Sequence, residues 1–207
     1  QDGAFYYSSE TTGDNEYPVH VRADDFKGTN KTVLLDVNEL AKAHDYYAVS
    51  GLSVSPNDKL MAYGEDTVSR RIYTLRVKDL ETGKMLPDSL AGTSGSAVWG
   101  NDNKTIYYIK KDPQTLLGYQ VYRHILGQPQ SSDELVYEEK NKSYYTGIWK
   151  SKDNSTIYIG HDSTEASGVS LIDANDAKAQ PVRVIPRRHG HEYSVAKKGN
   201  DYYINTN

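Results

Sequence analysis

The sequence predicts an all-β fold, and more narrowly an incomplete β-propeller, from its composition and from a hairpin motif that recurs along the chain. Among 207 residues there are 18 tyrosines but two phenylalanines and two methionines. Tyrosine suits strands with one buried and one hydrated end, whereas long runs of Ala, Leu, Glu and Lys at helical spacing are missing. The one segment with helical character, Asp36–His44, could equally form a single turn in a connection.

The recurring motif consists of a strand, a tight turn rich in Asn, Asp or Gly, and a second strand. Its four copies are Ser53–Tyr63, Val98–Tyr108, Trp149–Ile159 and Val195–Ile204. The turns are 45, 51 and 46 residues apart when they are marked at Asp58, Asn103, Asn154 and Asn200. Four antiparallel strands every ~40–50 residues are typical of propeller blades. A β-sandwich is the alternative, but it gives no reason for a fixed period.

The other strands of each unit follow the hairpins in order. The opening Asp2–Ser8 has the pattern of a second strand whose leading strand is missing. Third strands are predicted at Arg71–Lys78, Tyr119–Leu126 and Gly168–Asp173, and fourth strands at Lys84–Leu90, Glu134–Tyr137 and Val182–Ile185. We therefore predict one partial propeller domain over residues 1–207, with units near 1–46, 47–93, 94–142, 143–190 and 191–207. Both ends fall inside units, so we expect a fragment of a longer protein.

Charge and residue content exclude several classes of function. The formal net charge is −4, so no electropositive footprint for nucleic acid is expected. The chain has no Cys, which excludes disulfides and thiolate chemistry and agrees with a reducing, cytoplasmic location. No apolar run approaches the ~20 residues that cross a bilayer, so we expect no membrane partner. The first residues also lack the basic and then apolar order of a signal peptide.

Three local patterns suggest chemistry, and each has a simpler structural explanation. His189–Glu192 places two imidazoles and a carboxylate close together, but nothing supplies convincing further zinc ligands, so we expect a loop and strand entry. Asn101–Asn103 and Asp153–Asn154 lack the spacing of a calcium loop and suit hairpin turns. Gly51–Ser55 is the nearest match to G-x-S-x-G, but its last glycine is a serine, and it fits a first strand. We predict no catalytic, metal or cofactor residues in this chain.

Two adjacent arginines, Arg70 and Arg71, stand where a loop led by Glu65 and Asp66 enters a third strand. In a propeller, the connection from the second to the third strand lies on one face of the disc, so this loop is expected to project from a rim. The local explanation is a surface ion pair of Glu65 or Asp66 with Arg70. An exposed pair of this kind contributes about 0–1 kcal/mol.

Four longer segments resemble the N-terminal propeller of the prolyl oligopeptidase family of serine peptidases. They are Gly51–Asp88, Val98–Gly127, Glu134–Tyr145 and Arg187–Val195. The resemblance runs from Tyr17 to Asn207, and strings such as KDPQTLLGYQVYRH are far more specific than a general blade pattern. It implies a propeller of about seven blades that covers an α/β-hydrolase domain of the same polypeptide. That domain would carry a Ser-His-Asp triad.

The resemblance implies that this chain restricts access to an active site and has no catalytic activity of its own. The triad of the family lies beyond the propeller. The branch that the segments resemble cleaves short peptides after Lys or Arg, so the expected substrates of the whole enzyme are short basic peptides. For the segment from Glu65 to Arg71, the resemblance implies a contact with the hydrolase domain, in which Arg71 pairs with a carboxylate.

Two alternatives belong to other functional classes. One is a stand-alone propeller that binds a protein or a peptide, with no hydrolase domain attached. The other is a structural or sugar-binding propeller, which would need clusters of exposed aromatic side chains on a concave face. In either case, blade edges without a neighbour are expected to allow self-association.

Overall fold

The computed structural model describes residues 3–207 and confirms an all-β fold with antiparallel sheets. The strands of this range form sheets of three, seven, four and two strands. The one α-helix in the same range, Val37–Ala41, has five residues, and no helix there is long and apolar enough to cross a membrane. Of the predicted opening strand, Asp2 lies outside the described residues.

The three-stranded sheet is followed along the chain by the helix. Its strands are β1 (Tyr6–Glu10), β2 (Val19–Ala23) and β3 (Lys31–Asp36), and the helix is α1 (Val37–Ala41). Helix α1 begins after Asp36 because the Asp36 carboxylate accepts the N–H groups of Asn38 and Glu39 at 3.0 and 3.4 Å. The predicted helical segment is thus a short helix within a connection.

The seven-stranded sheet contains two of the predicted hairpins. Its strands are β4 (Ala48–Val54), β5 (Leu60–Asp66), β6 (Tyr73–Asp79), β7 (Met85–Trp99), β8 (Thr105–Lys111), β9 (Gly118–Ile125) and β10 (Glu134–Glu138). A 3-10 helix, Gln130–Ser132, precedes β10. The strands are hydrogen-bonded in their order along the chain.

Strand β7 differs from the prediction because it joins a predicted fourth strand to the following first strand. The boundary predicted between residues 93 and 94 therefore falls inside β7. Its first part pairs with β6, its last part pairs with β8, and between them Gly95 (φ 90°) lies against β4 and β5. A β-carbon on Gly51 of β4 would be 2.1 Å from the carbonyl oxygen of Gly95, and one on Gly64 of β5 would be 2.5 Å from its Cα. Glycine at these positions allows the bent strand to cross the sheet.

The remaining strands form two separate sheets. The four-stranded sheet contains β11 (Tyr145–Lys150), β12 (Thr156–Asp162), β13 (Val169–Asp173) and β14 (Val182–Arg183). The last sheet is a hairpin of β15 (Tyr193–Lys198) and β16 (Asp201–Thr206), and all residues of β16 are exposed. The limits of the individual units stay a prediction.

The turns of the recurring hairpins share one backbone conformation. In each turn one residue has a left-handed φ of 59–60°, which Asn, Asp and Gly adopt more readily than other residues; these residues are Asp58, Asn103, Asn154 and Gly199. Neighbouring turns also contact each other. The Oδ1 atom of Asn103 accepts the N–H of Asn57 at 2.8 Å, and the Nδ2 atom of Asn101 donates to the carbonyl of Asn154 at 2.9 Å.

Apolar clusters lie between consecutive sheet units. Strand β8 shows the pattern, since Ile106 and Tyr108 pack with residues of β5–β7, whereas Tyr107 and Ile109 pack with residues of β12 and β13. Two further clusters join α1 and β3 to β5, and β12 and β13 to β15. Because both faces of a strand such as β8 are buried, its sequence reads as a continuous apolar run.

A left-handed residue in each hairpin turn predicts a specific response to substitution at Asn154. We expect Asn154→Ala to lower the free energy of unfolding by about 1 kcal/mol, because a β-carbon crowds the backbone in this conformation. Asn154→Gly is the matched control and should retain the stability of the parent. Urea unfolding followed by tryptophan fluorescence measures both, and equal midpoints for the two variants would contradict the assignment.

Candidate functional site

The strand order separates the loops into two rims. Because neighbouring strands are antiparallel, the connections from second to third strands lie at the same edge as the connections between units. We call this edge the connection rim; it contains residues 11–18, 37–47, 67–72, 112–117, 139–144, 163–168 and 184–192. The opposite edge, the hairpin rim, contains residues 24–30, 55–59, 80–84, 100–104, 126–133, 151–155, 174–181 and 199–200. The predicted segment from Glu65 to Arg71 belongs to the connection rim.

A single buried carboxylate fixes the loop that carries the two arginines. Asp66 is 1 % exposed. Its Oδ1 atom accepts the N–H of Val68 at 2.9 Å, and its Oδ2 atom accepts the N–H groups of Arg70 and Arg71 at 2.9 and 2.7 Å. These bonds hold Ser69 and Arg71 at left-handed φ angles of 57° and 55°. Asp66 therefore uses its charge on backbone amides and forms no ion pair with Arg70.

Glu65 is turned toward the interior and has different partners from those in the local ion-pair explanation. Its carboxylate accepts the Tyr47 hydroxyl at 2.7 Å and lies 3.7 Å from Nε of Arg76 on the neighbouring strand. Burial, together with the hydrogen bond to Glu65, raises the pKa of Tyr47. Of the four predicted residues, Glu65 and Asp66 thus make contacts within the protein, whereas the side chains of Arg70 and Arg71 lie on its surface.

The side chains of Arg70 and Arg71 are exposed, and neither forms an ion pair within residues 3–207. The backbone of Arg71 is tied to the neighbouring loop, since Nζ of Lys111 donates to its carbonyl oxygen at 2.8 Å. Burial and the charge of Arg71 lower the pKa of Lys111. Two cations thus lie close together on the connection rim, which makes this part of the surface suited to carboxylates.

The next loop along the same rim repeats the support with Asp112. Its Oδ1 atom accepts the N–H groups of Gln114 and Thr115, each at 2.8 Å, and Leu116 has a left-handed φ of 62°. Residues 112–117 thus form a fixed loop between β8 and β9. In both loops, the Asp that accepts the backbone amides lies at or just after the end of a second strand. The sequence pattern alone did not indicate this role.

A buried ion pair that the sequence did not reveal joins two further connections of the same rim. The guanidinium of Arg187 contacts both oxygens of Glu139, with distances of 2.5 and 3.2 Å. Tyr137 donates to Glu139 at 2.7 Å, and the Arg187 guanidinium lies 3.8 Å from the ring centroid of Tyr144. Burial opposes the charge of Glu139, but Arg187 and Tyr137 outweigh it and hold the pKa of Glu139 below its ordinary value.

The residues considered as ligands or nucleophile have other roles. His189 lies 3.2 Å from Glu165 on the surface, and His191 contacts the Thr206 hydroxyl at 3.0 Å. Within residues 3–207 no three His, Cys, Asp or Glu side chains are grouped to hold a metal ion. Asp102 accepts the N–H groups of its own hairpin turn. Gly51–Ser55 runs through β4 into the first hairpin turn.

The repeated four-strand pattern, the packing of consecutive units and the two rims define this chain as part of a β-propeller. Comparison with known families identifies which propeller it is. The prolyl oligopeptidase N-terminal β-propeller domain matches residues 1–207, so the chain belongs to that family.

Named relatives agree with this family. Dipeptidyl aminopeptidase BI of Pseudoxanthomonas mexicana is 39% identical over 99% of this chain and 30% of its own length. Protease 2 of Moraxella lacunata is 31% identical over 100% of this chain and 31% of its own length. Oligopeptidase B from Leishmania major has a similar structure, with a TM-score of 0.92 and 28% identity over 100% of this chain and 30% of its own. The chain therefore spans about 30% of the length of these relatives.

The role of Asp66 predicts a local loss of order when its charge is removed. Asp66→Asn cannot accept all three amides, so we expect the free energy of unfolding to fall by about 1–3 kcal/mol and the amides of residues 68, 70 and 71 to exchange faster. Asp14→Asn on an exposed loop of the same rim is the control. Unchanged exchange at these amides in Asp66→Asn would contradict the role of Asp66.

The Glu139–Arg187 pair predicts a specific dependence of stability on pH. Because the pKa of Glu139 is lower in the folded state, its contribution is complete above the ordinary Glu value and is lost as the pH falls through the folded pKa. We expect Glu139→Gln to cost roughly 3 kcal/mol at neutral pH and to flatten the acid side of the stability profile. Chemical denaturation across pH measures this, with the exposed Glu165→Gln as control. An acid limb identical to that of the parent would count against the pair.

Proposed function

We propose that this chain is the access-restricting part of a serine peptidase whose hydrolase domain docks on the connection rim. The family and the lengths of the relatives support a parent protein of this kind. The observation that carries the docking proposal is the arginine loop, in which a buried Asp66 presents Arg70 and Arg71 to solvent without ion pairs. The chain supplies rigidity and contact in this proposal, and the reaction takes place in the other domain.

The topology favours the connection rim as the side on which another domain attaches. A unit of four antiparallel strands begins and ends at the same edge. Chain that enters or leaves a set of whole units therefore does so at the connection rim, where α1 and the other connections between units also lie. A hydrolase domain joined to the propeller through these crossings would face the loop of Arg70 and Arg71.

The chemistry of the loop fits a contact that forms and breaks. The guanidinium of Arg71 can bind a carboxylate through two parallel hydrogen bonds, and water is excluded from such a pair when two domains close. Because the Asp66 carboxylate and Lys111 already fix the backbone of Arg71, less conformational entropy is lost on contact. Contact through this loop would favour the closed arrangement of the two domains. When the contact is broken, the open arrangement would admit short peptides.

The substrate class is proposed from the relatives. Similarity to Protease 2 and oligopeptidase B supports cleavage of short peptides after Lys or Arg. The higher identity to dipeptidyl aminopeptidase BI, 39% against 31%, favours a second candidate, the removal of dipeptides from a free N-terminus. Basic peptides with free and with acetylated N-termini distinguish the two when they are given to the full-length protein. Cleavage of both forms supports the first activity, and cleavage of the free form alone supports the second.

The alternative to a peptidase is a stand-alone propeller that binds a protein or a peptide and has no hydrolase domain. Intact mass and terminal sequencing of the purified protein, compared with its gene, show whether residues 1–207 continue into a hydrolase domain. The cysteine-free composition supports a cytoplasmic location.

We also propose that the isolated chain self-associates through β16, whose Tyr202, Tyr203 and Ile204 are 44, 57 and 43% exposed. Sedimentation that does not depend on concentration would exclude this association.

The docking proposal predicts that Arg71→Ala impairs the full-length enzyme without unfolding it. We expect kcat/KM to fall by roughly tenfold, equivalent to about 1.4 kcal/mol, because the closed arrangement loses a desolvated pair. Arg71→Lys should retain part of the activity, since it keeps the charge but not the paired hydrogen bonds. Lys84→Ala, an exposed cation of the hairpin rim, is the matched control.

Domain closure gives an independent readout of the same substitution. Distances between labels on the propeller and on the hydrolase domain should shift toward the open arrangement in Arg71→Ala. The difference between Arg71→Ala and the parent protein should decrease at high salt, because salt screens the ion pairs at the rim of the parent protein. If Arg71→Ala and the double change with Arg70→Ala leave closure and activity unchanged, the docking proposal is wrong.

A further inference from the structure

A fully buried histidine, His124 in β9, lies between two buried aspartates. Its Nδ1 atom is 2.6 Å from Oδ1 of Asp133, and its Nε2 atom is 3.0 Å from Oδ1 of Asp88. The three side chains are exposed by 0, 1 and 2%. Asp88 comes from the first part of β7, whereas Asp133 precedes β10. The cluster therefore connects the β4–β7 part of the seven-stranded sheet to the β8–β10 part.

The other contacts of the two aspartates use their oxygens as acceptors. Oδ1 of Asp88 accepts the N–H of Gly127 at 2.6 Å, and Oδ2 of Asp133 accepts the hydroxyl of Tyr108 at 2.8 Å. A neutral imidazole has one N–H, so it could donate to one carboxylate and would face the other with a lone pair. An imidazolium donates from both ring nitrogens and satisfies both carboxylates. When both aspartates are carboxylates, the geometry therefore requires two ring protons.

The surroundings of the cluster support the charged form. Within residues 3–207, His124 is the one cationic group in contact with either carboxylate. Tyr108 of β8, the other titratable group that faces the cluster, is neutral and also receives a hydrogen bond from Nε2 of Gln130 at 3.3 Å. Burial disfavours the charge, but Asp133 and Asp88 outweigh it and raise the pKa of His124 above its ordinary value.

A second buried histidine provides the contrast. His161 in β12 is also 0% exposed, but its Nε2 atom contacts a serine hydroxyl, that of Ser170, at 3.4 Å, and its Nδ1 atom has no hydrogen-bond partner. Burial and the positive charges of Arg187 and Arg183 lower the pKa of His161 to about 4. The two histidines have the same exposure and opposite electrostatic surroundings, so they serve as an internal comparison.

We propose that His124 is a buried imidazolium that clamps the outer part of one propeller unit to the next, and that its deprotonation at alkaline pH loosens this junction. Gln130 lies at the same junction and exchanges two hydrogen bonds with the backbone of Ala91, each of 3.0 Å. Residues 86–91 and 126–134 are the segments that the clamp holds together. Because the pKa of His124 is raised on folding, the stabilisation is complete below the ordinary histidine value and is lost as the pH rises through the folded pKa.

The charge of His124 is tested directly by NMR of the full-length protein labelled with ¹⁵N in its histidine rings. We expect the His124 ring to keep two protons at about pH 7 and above, whereas the His161 ring shows one. His124→Gln and His161→Gln assign the two signals. A single ring proton on His124 at about pH 7 would overturn the proposal, because a neutral ring cannot satisfy both carboxylates.

Hydrogen exchange of the same protein tests the loosening of the junction. After correction for intrinsic exchange, protection of residues 86–91 and 126–134 should fall by roughly tenfold per pH unit above the folded pKa. In His124→Gln protection should be low at every pH, and in His161→Gln it should follow the parent. Protection that stays constant while His124 titrates would refute the clamp. The titration of the parent decides this even if His124→Gln does not fold.

Discussion

The packing of each sheet unit against its two neighbours is the constraint on which the rest of the structure depends. A strand such as β8 has alternate apolar residues that face opposite neighbours, so both of its faces are buried. Loops, charges and left-handed residues are therefore found mainly at the two rims. This segregation explains why the hairpin turns repeat their conformation, with Asp58, Asn103 and Asn154 in equivalent places.

Carboxylates shape the connection rim in two different ways. Asp66 and Asp112 accept backbone amides and thereby fix their loops, and in the Asp66 loop the side chains of Arg70 and Arg71 remain in solvent. Glu139 instead accepts a guanidinium, that of Arg187, and joins two connections to each other. In the Asp66 loop this leaves the positive charges of two arginines at the surface, whereas the Glu139–Arg187 pair neutralises its positive charge internally. Acidic side chains thus leave exposed cations in one part of the rim and form an internal ion pair in another part.

The fold could be predicted from the sequence because its evidence is local. Turn residues, strand alternation and a fixed period mark the hairpins, whereas the pattern of Asp36–His44 left a helix and a single turn equally open. The contacts that define the rim could not be predicted in the same way. Arg187 and Glu139 are 48 residues apart, and His124 and Asp88 are 36 apart, so no periodicity relates them. The fusion of two predicted strands into β7 depends on three glycines that meet in space, Gly51, Gly64 and Gly95.

Strand β7 has a consequence for the modularity of this propeller. Repeated blades suggest interchangeable parts, and the other junctions between units are connections at the rim that lie outside the strands. The junction inside Met85–Trp99 is different, because its middle is threaded over β4 and β5 and requires glycine on both sides of the crossing. If one blade were exchanged at this point, its residues would have to fit against Gly51, Gly64 and Gly95, where there is no room for a β-carbon. Exchange of the second and third repeats together, by contrast, would leave this glycine crossing intact.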